Sequence, residues 1–237
     1  MSYAVLVLEQ PWWELNEDPG QTSVRYFLDG LSRLDGLPTF YATFYDSKSF
    51  GCALQYLVDA RKLKSVKHLI VYLASHGAGA RIGNGSAPDM NLRTVFNRIQ
   101  QMGRGKVVGL ILDSCEVGGQ WDVIEDGMKS SGLSWLLGYG ASIDWLTSTL
   151  INLRVLSGMS ELKAAELRDS KAIKTAMQEA LGIFNPFLVV DDDTDEAIEA
   201  KDEMVTLTLA EALTIAIQCN GRKPNFLIPK RIWPRLF

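Results

Sequence analysis

Short apolar runs alternate with segments of helical periodicity from residue 3 to about residue 160, and few folds accommodate this order. The clearest run is His68 to Ala74, HLIVYLA, which stops at the polar tip Ser75-His76-Gly77. A second run, over 107–112, stops at Asp113-Ser114-Cys115. Strands that are buried on both faces are apolar throughout, and their alternation with helices is typical of βαβ units. We therefore predict a three-layer α/β fold, in which helices flank a mainly parallel central sheet.

The other predicted elements follow from the same patterns. Further strands are expected over 3–8, 39–44 and 135–139. Apolar residues at helical spacing predict helices over 23–34, 47–62, 89–102, 143–156, 161–181 and 209–219. An apolar run at 187–190 precedes an acidic segment, 191–203, which has no apolar face and is expected to be a solvated loop or a frayed helix start. The alternative is a processing or docking loop.

The length of 237 residues is enough to bury one sizeable core. We expect a single domain over 1–237, with a core over about 1–158 and a helical and acidic-loop extension over about 159–237. Neither an internal repeat nor a low-complexity segment is visible in the sequence.

Charge and cysteine content exclude several classes of protein. The net charge is −4 and the Lys and Arg residues are scattered, so we expect no direct binding of nucleic acid. No apolar stretch reaches membrane-spanning length, and the N-terminus lacks the basic region of a signal peptide. The three cysteines, Cys52, Cys115 and Cys219, are far apart and form no CxxC pair. We therefore expect free thiols and a cytoplasmic protein without membrane contact.

Histidine narrows the choice of site, because the chain has only two histidines. His68 begins the clearest strand and His76 follows its end. Ligands collect at the carboxyl ends of parallel strands, so His76 is expected at the functional edge of the sheet and His68 at the opposite edge. Cys115 follows the next buried strand, 39 positions after His76, a spacing that fits one strand–helix–strand unit.

A thiol becomes a strong nucleophile when an adjacent base removes its proton, and His76 can supply that base for Cys115. The glycines beside both residues allow backbone amides to approach a substrate carbonyl, and the amides of Gly77 and Cys115 are the candidate oxyanion donors. The structural alternatives are a buried apolar cysteine and a turn histidine.

The motif SHG after one strand, and DSC with Gly118 after the next, resembles the caspase-like clan of cysteine peptidases, which includes metacaspases and CHAT domains. The resemblance covers about 1–158, including GYGASIDW after the fifth strand. Glu116 stands where metacaspases usually carry histidine. The resemblance implies a caspase-like sandwich and a cysteine endopeptidase with a His–Cys dyad, which cleaves protein or peptide substrates bound in extended form.

Asp113 stands two positions before Cys115, and in metacaspases an aspartate there helps to line the S1 pocket. The resemblance therefore implies cleavage after a basic P1 residue. Glu9, at the tip of the first strand, and Asp144, after the fifth, are secondary candidates to add negative charge to this pocket; the alternative for each is a solvent-facing loop residue. The alternative for Asp113 is a structural role, in which its carboxylate holds the turn at Cys115. Trp12 and Trp13 are expected to line a groove at this edge or to act as core anchors.

Cofactor or metal binding, a Rossmann-like enzyme and an inactive module are the alternatives to a cysteine peptidase. Neither a metal nor an organic cofactor is expected, since the histidines are separated and GAGARIGNG lacks the P-loop pattern. A Rossmann-like enzyme is disfavoured because EQPWWELNEDPG follows the first strand. The principal alternative is a catalytically inactive caspase-like module with a regulatory or scaffolding role. Because the chain contains no obvious sensor domain, we also expect an activating protein partner.

Overall fold

A computed structural model describes residues 3–11, 23–83, 89–190, 207–218 and 223–234, and all structural statements concern these residues. The strands are β1 (Tyr3–Glu9), β2 (Thr39–Thr43), β3 (His68–Ala74), β4 (Gly77–Ala78), β5 (Arg81–Ile82), β6 (Met90–Asn91), β7 (Val107–Asp113), β8 (Trp135–Tyr139), β9 (Leu213–Ile217) and β10 (Asn225–Phe226). The helices are α1 (Arg25–Asp35), α2 (Ser47–Val58), α3 (Leu92–Met102), α4 (Trp121–Ser131), α5 (Trp145–Ser160), α6 (Ser170–Leu181), α7 (Leu209–Ala212) and α8 (Pro229–Ile232).

Seven strands form the central sheet, in the order β10-β9-β8-β7-β3-β1-β2. The five strands from β8 to β2 run parallel, whereas β9 and β10 are antiparallel additions at one edge. A separate three-stranded sheet, β4-β5-β6, follows the end of β3. The predicted α/β fold with a mainly parallel sheet is confirmed.

Helices cover both faces of the sheet because side chains alternate along each buried strand. In β1, Tyr3, Val5 and Val7 pack into the layer with α1, α5 and α6, whose buried residues include Leu28, Ile151 and Ile173. The intervening residues Ala4, Leu6 and Leu8 pack into the layer with α2, α3 and α4, whose buried residues include Phe50, Phe96 and Ile124. Three layers result, with the core on both sides of the sheet.

The prediction of a helix over 209–219 is wrong beyond its first turn. Helix α7 ends at Ala212, and Leu213–Ile217 is strand β9, paired antiparallel with β8. The run LTIAI is rich in β-branched residues and is buried along its whole length, which suits a place inside the sheet. The part of the chain predicted to be a helical extension therefore contributes two strands to the central sheet.

Other boundaries differ by a few residues. Helix α3 begins at Leu92, capped by Asn91, because Met90–Asn91 forms β6. The helix predicted over 161–181 begins at Ser170, where the Asp169 carboxylate accepts a hydrogen bond from the Ala172 N–H at 2.8 Å. No helix within the described ranges is long and apolar enough to cross a membrane. Trp12, Trp13, Cys219 and the acidic segment 191–203 lie outside the described residues.

Candidate active site

His76 and Cys115 leave the sheet at equivalent positions. Strands β3 and β7 are parallel neighbours, and their last paired residues are Ala74 and Asp113. The ladder continues one step further, where the Ser75 N–H donates to the Asp113 carbonyl at 3.1 Å. His76 stands two residues beyond Ala74, and Cys115 two residues beyond Asp113. The imidazole and the thiol therefore belong to adjacent loops at the carboxyl edge of the sheet.

The loop that carries His76 lies against the loop that carries Cys115. A Cβ atom at Gly77 would overlap the Cys115 carbonyl oxygen, and it would lie 2.5 Å from Cγ2 of Val117. Only glycine permits this approach. The absence of a side chain at Gly77 therefore brings the backbone after His76 into contact with the backbone of the Cys115 turn.

The Cys115 thiol is half-buried and its sulfur contacts the loop that follows β8. The Ser142 hydroxyl donates towards Sγ at 3.9 Å, and Sγ lies 3.8 Å from the carbonyl oxygen of Ile143. His76 is exposed. The loops after three adjacent strands, β3, β7 and β8, thus supply the groups around the thiol.

Asp113 is buried beneath the Cys115 turn, with only 3% of its surface exposed. The Tyr72 hydroxyl donates to Oδ2 of Asp113 at 2.6 Å, and Nδ2 of Asn152 donates to the Tyr72 hydroxyl at 3.2 Å. Burial is the main cause that raises the pKa of Asp113 from its usual 3.8 to about 6. Hydrogen bonds from neighbouring side chains act in the opposite direction, and the nearby Glu9 carboxylate adds a smaller contribution to the increase. The carboxylate is part of a hydrogen-bonded network between β7, β3 and α5.

Glu9 is a second buried carboxylate at the same edge. Its oxygens accept hydrogen bonds from the Ser23 hydroxyl at 2.6 Å, the Tyr41 hydroxyl at 2.6 Å and the Val24 N–H at 2.9 Å. Burial, with the adjacent Glu9 carboxylate, raises the pKa of the Tyr41 hydroxyl well above its usual value. Glu9 pairs with Ala74, which pairs with Asp113, so the two carboxylates flank one small side chain in a row across three strands.

Asp144 is placed differently from the other two acidic candidates. It is exposed, and its Oδ1 accepts a hydrogen bond from the Thr147 N–H at 2.9 Å as the N-cap of α5. A carboxylate in this role stabilises the start of the helix. Asp144 therefore has a structural role that Glu9 and Asp113 do not share.

No family model matches the chain, and no curated protein matches it in sequence. Among solved structures, caspase-1 from Spodoptera frugiperda is similar with a TM-score of 0.51 at 10% identity, over 96% of this chain and 89% of that chain. The chain has a caspase-like fold. A secreted C11 cysteine protease from Bacteroides thetaiotaomicron, solved in complex with an irreversible peptide inhibitor, is similar with a TM-score of 0.46 at 9% identity. That match covers 90% of this chain and 66% of the protease.

At identities this low the likeness describes the caspase-like fold, and the resemblance to CHAT domains or metacaspases stays a prediction.

Two residues of the site were not predicted from the sequence. Ser142 contacts the thiol, and Glu116 connects neighbouring loops through a hydrogen bond to Gly79. The signal for Ser142 is its place in the loop that follows a buried strand. Glu116 is visible only as an unexpected residue beside the candidate nucleophile.

Proposed function

We propose that this caspase-like protein is a cysteine endopeptidase in which Cys115 is the nucleophile and His76 is the general base. The observation that carries the proposal is the register of β3 and β7, which gives His76 and Cys115 equivalent positions in adjacent loops. The caspase-like fold, shared with caspase-1 from Spodoptera frugiperda, supports it. The contact between Gly77 and the Cys115 turn adds a second support.

The proposed reaction follows from these groups. His76 takes the proton of the Cys115 thiol, and the sulfur attacks the carbonyl carbon of the scissile peptide bond. The amides of Gly77 and Cys115 stabilise the negative charge on the oxygen of the tetrahedral intermediate. As the carbon–nitrogen bond breaks, the imidazolium returns the proton to the leaving amine, and a thioester remains. Water, deprotonated by His76, then hydrolyses the thioester and releases the thiol.

We further propose that the enzyme cleaves after Lys or Arg. Glu9 and Asp113 are the two buried carboxylates of the described residues, and they flank Ala74 in the strand that carries His76. A buried carboxylate is costly unless it is paired, and a Lys or Arg side chain of the substrate would supply the opposite charge. A neutral or acidic P1 side chain would leave both carboxylates without a cationic partner. Asp144 contributes less, because it is exposed and caps α5.

The substrate class expected from this chemistry is a protein or peptide that presents an extended basic segment. An activating protein partner and a cytoplasmic location stay predictions.

The test uses a positional-scanning library of fluorogenic peptides. We expect turnover concentrated on Lys or Arg at P1, and a loss of at least about 1000-fold in the Cys115→Ala variant. Cys52→Ala is the matched control, because Cys52 is an exposed thiol on α2 and should be dispensable. A Cys115→Ala protein that cleaves at the wild-type rate would rule out the nucleophile. A preference for Asp or for apolar residues at P1 would rule out the two carboxylates as the pocket.

A further inference from the structure

Three loops of the candidate site meet at Glu116, the residue that directly follows Cys115. Its backbone N–H donates to the Ala141 carbonyl at 3.1 Å, in the loop after β8. Its side-chain Oε2 accepts a hydrogen bond from the Gly79 N–H at 2.9 Å, in the turn between β4 and β5 that follows His76. One residue of the Cys115 loop is therefore bonded to both neighbouring loops.

The backbone of Glu116 adopts a conformation that favours glycine. Its φ of 61° and ψ of −23° lie in the left-handed region, where the Cβ atom of any other residue is crowded. Among the described residues, Arg104 is the other non-glycine residue with a positive φ, and it lies in the turn after α3. Glycine at 116 would relieve the crowding, but it would remove the carboxylate that reaches Gly79. The side chain is the part of Glu116 that glycine cannot replace.

We propose that Glu116 is a positioning residue, which holds the His76 loop against the Cys115 loop through the Gly79 N–H. The proposal rests on the proposed function, because it concerns the geometry of the same dyad. Gly77, a candidate oxyanion donor, stands between His76 and Gly79 in sequence, so a bond at Gly79 restrains both groups.

Catalytic groups must be held within about 0.5 Å of their productive positions. When the Gly79 bond is lost, the His76 loop gains freedom relative to the thiol while the carboxylates at Glu9 and Asp113 stay in place. We therefore expect kcat to fall and KM to stay unchanged.

Two substitutions separate the side chain from the backbone. Glu116→Gly retains the left-handed backbone and removes the acceptor; we expect kcat to fall about tenfold, as is typical for loss of a charge-assisted hydrogen bond. Glu116→Gln keeps a side-chain oxygen that can accept from Gly79, and we expect kcat within about threefold of wild type. Glu166→Ala is the matched control. Glu166 is another carboxylate that accepts a hydrogen bond from a backbone N–H, that of Lys163 at 2.7 Å, and its loss should leave kcat unchanged.

Hydrogen exchange at the Gly79 amide, followed by NMR, tests the contact without reference to activity. We expect exchange about tenfold faster in Glu116→Gly than in wild type, and near wild type in Glu116→Gln. Unchanged exchange in Glu116→Gly, or an equal loss of kcat in the Gln and Gly variants, would overturn the proposal. If wild type and Cys115→Ala cleave peptides equally, the proposed function fails, and the exchange rates still decide whether Glu116 holds the loop.

Discussion

The burial of Asp113 predicts an unusual pH dependence of stability. Burial raises the pKa of this carboxyl from 3.8 to about 6, so between these values the folded protein binds the proton more tightly than the unfolded chain. Stability must therefore fall as the pH rises through this window, and the loss is complete above about pH 6. The change from 3.8 to about 6 corresponds to about 3 kcal/mol in the free energy of unfolding.

Asp113→Asn isolates this contribution. The amide oxygen can still accept the hydrogen bond from Tyr72, but the side chain no longer ionises. Other carboxylates titrate in both proteins, so the informative quantity is the unfolding free energy of the variant minus that of wild type. We expect this difference to rise in favour of the variant by about 2 kcal/mol between pH 4 and pH 7, because part of the titration lies outside this range. Any free-energy cost of burying the new NH₂ group is independent of pH, so it shifts the difference in unfolding free energy by a constant at every pH.

Urea denaturation at 25 °C, repeated at several pH values with a shared m-value, measures the difference. Asp46→Asn is the control of opposite sign. Its hydrogen bonds with Ser49 lower the pKa of the half-buried Asp46 carboxyl, so the stability it contributes is present at neutral pH and is lost as the pH falls. A difference between Asp113→Asn and wild type that stays flat from pH 4 to pH 7 would refute the reasoning.

The remaining predictions concern the dyad and the core. His76→Ala should lower kcat at least about 100-fold, whereas His68→Ala, at the other end of β3, should keep its kcat; the reverse result in folded proteins would contradict the sheet-edge assignment. Ser142→Ala should slow alkylation of Cys115 by iodoacetamide several-fold near neutral pH, because the hydroxyl donates towards the sulfur; an unchanged rate would exclude this role. Gly109→Ala should destabilise the protein by about 1–3 kcal/mol in urea denaturation, since a Cβ atom would overlap the Trp135 ring, and unchanged stability would contradict that packing.

The fold was largely predictable because buried parallel strands leave a direct signal in the sequence. The strands His68–Ala74 and Trp135–Tyr139 were predicted with the bounds that the structure gives them. The error at 209–219 has a physical cause. A short apolar run satisfies helical and strand periodicity alike, and the capping box of Thr208 and Glu211 signals a helix that in fact ends after one turn. Pairing with β8, which is far away in sequence, makes 213–217 a strand.

The environment of the site was less predictable than its position. That His76 and Cys115 share an edge follows from strand order, but the burial of Asp113 depends on Tyr72 and on Asn152 from α5. The bond between Glu116 and Gly79 likewise joins residues 37 positions apart. Such contacts depend on tertiary packing, which a local pattern does not encode.

Burying polar and charged side chains at the carboxyl edge of the sheet lowers the stability of the folded protein, and packing alone does not require such residues there. Glu9, Asp113 and the neutral side chains Gln10, Ser75 and Ser114 are all buried at the ends of β1, β3 and β7. Apolar residues of similar volume would fill this space without desolvating two carboxylates, and for Asp113 alone the cost at neutral pH is about 3 kcal/mol. The hydrogen bond from Tyr72 offsets the cost at Asp113 only in part, since the pKa of Asp113 is raised. A cationic substrate side chain beside these carboxylates would remove more of it, so ligand binding should lower the pKa of Asp113 and stabilise the protein most above pH 6.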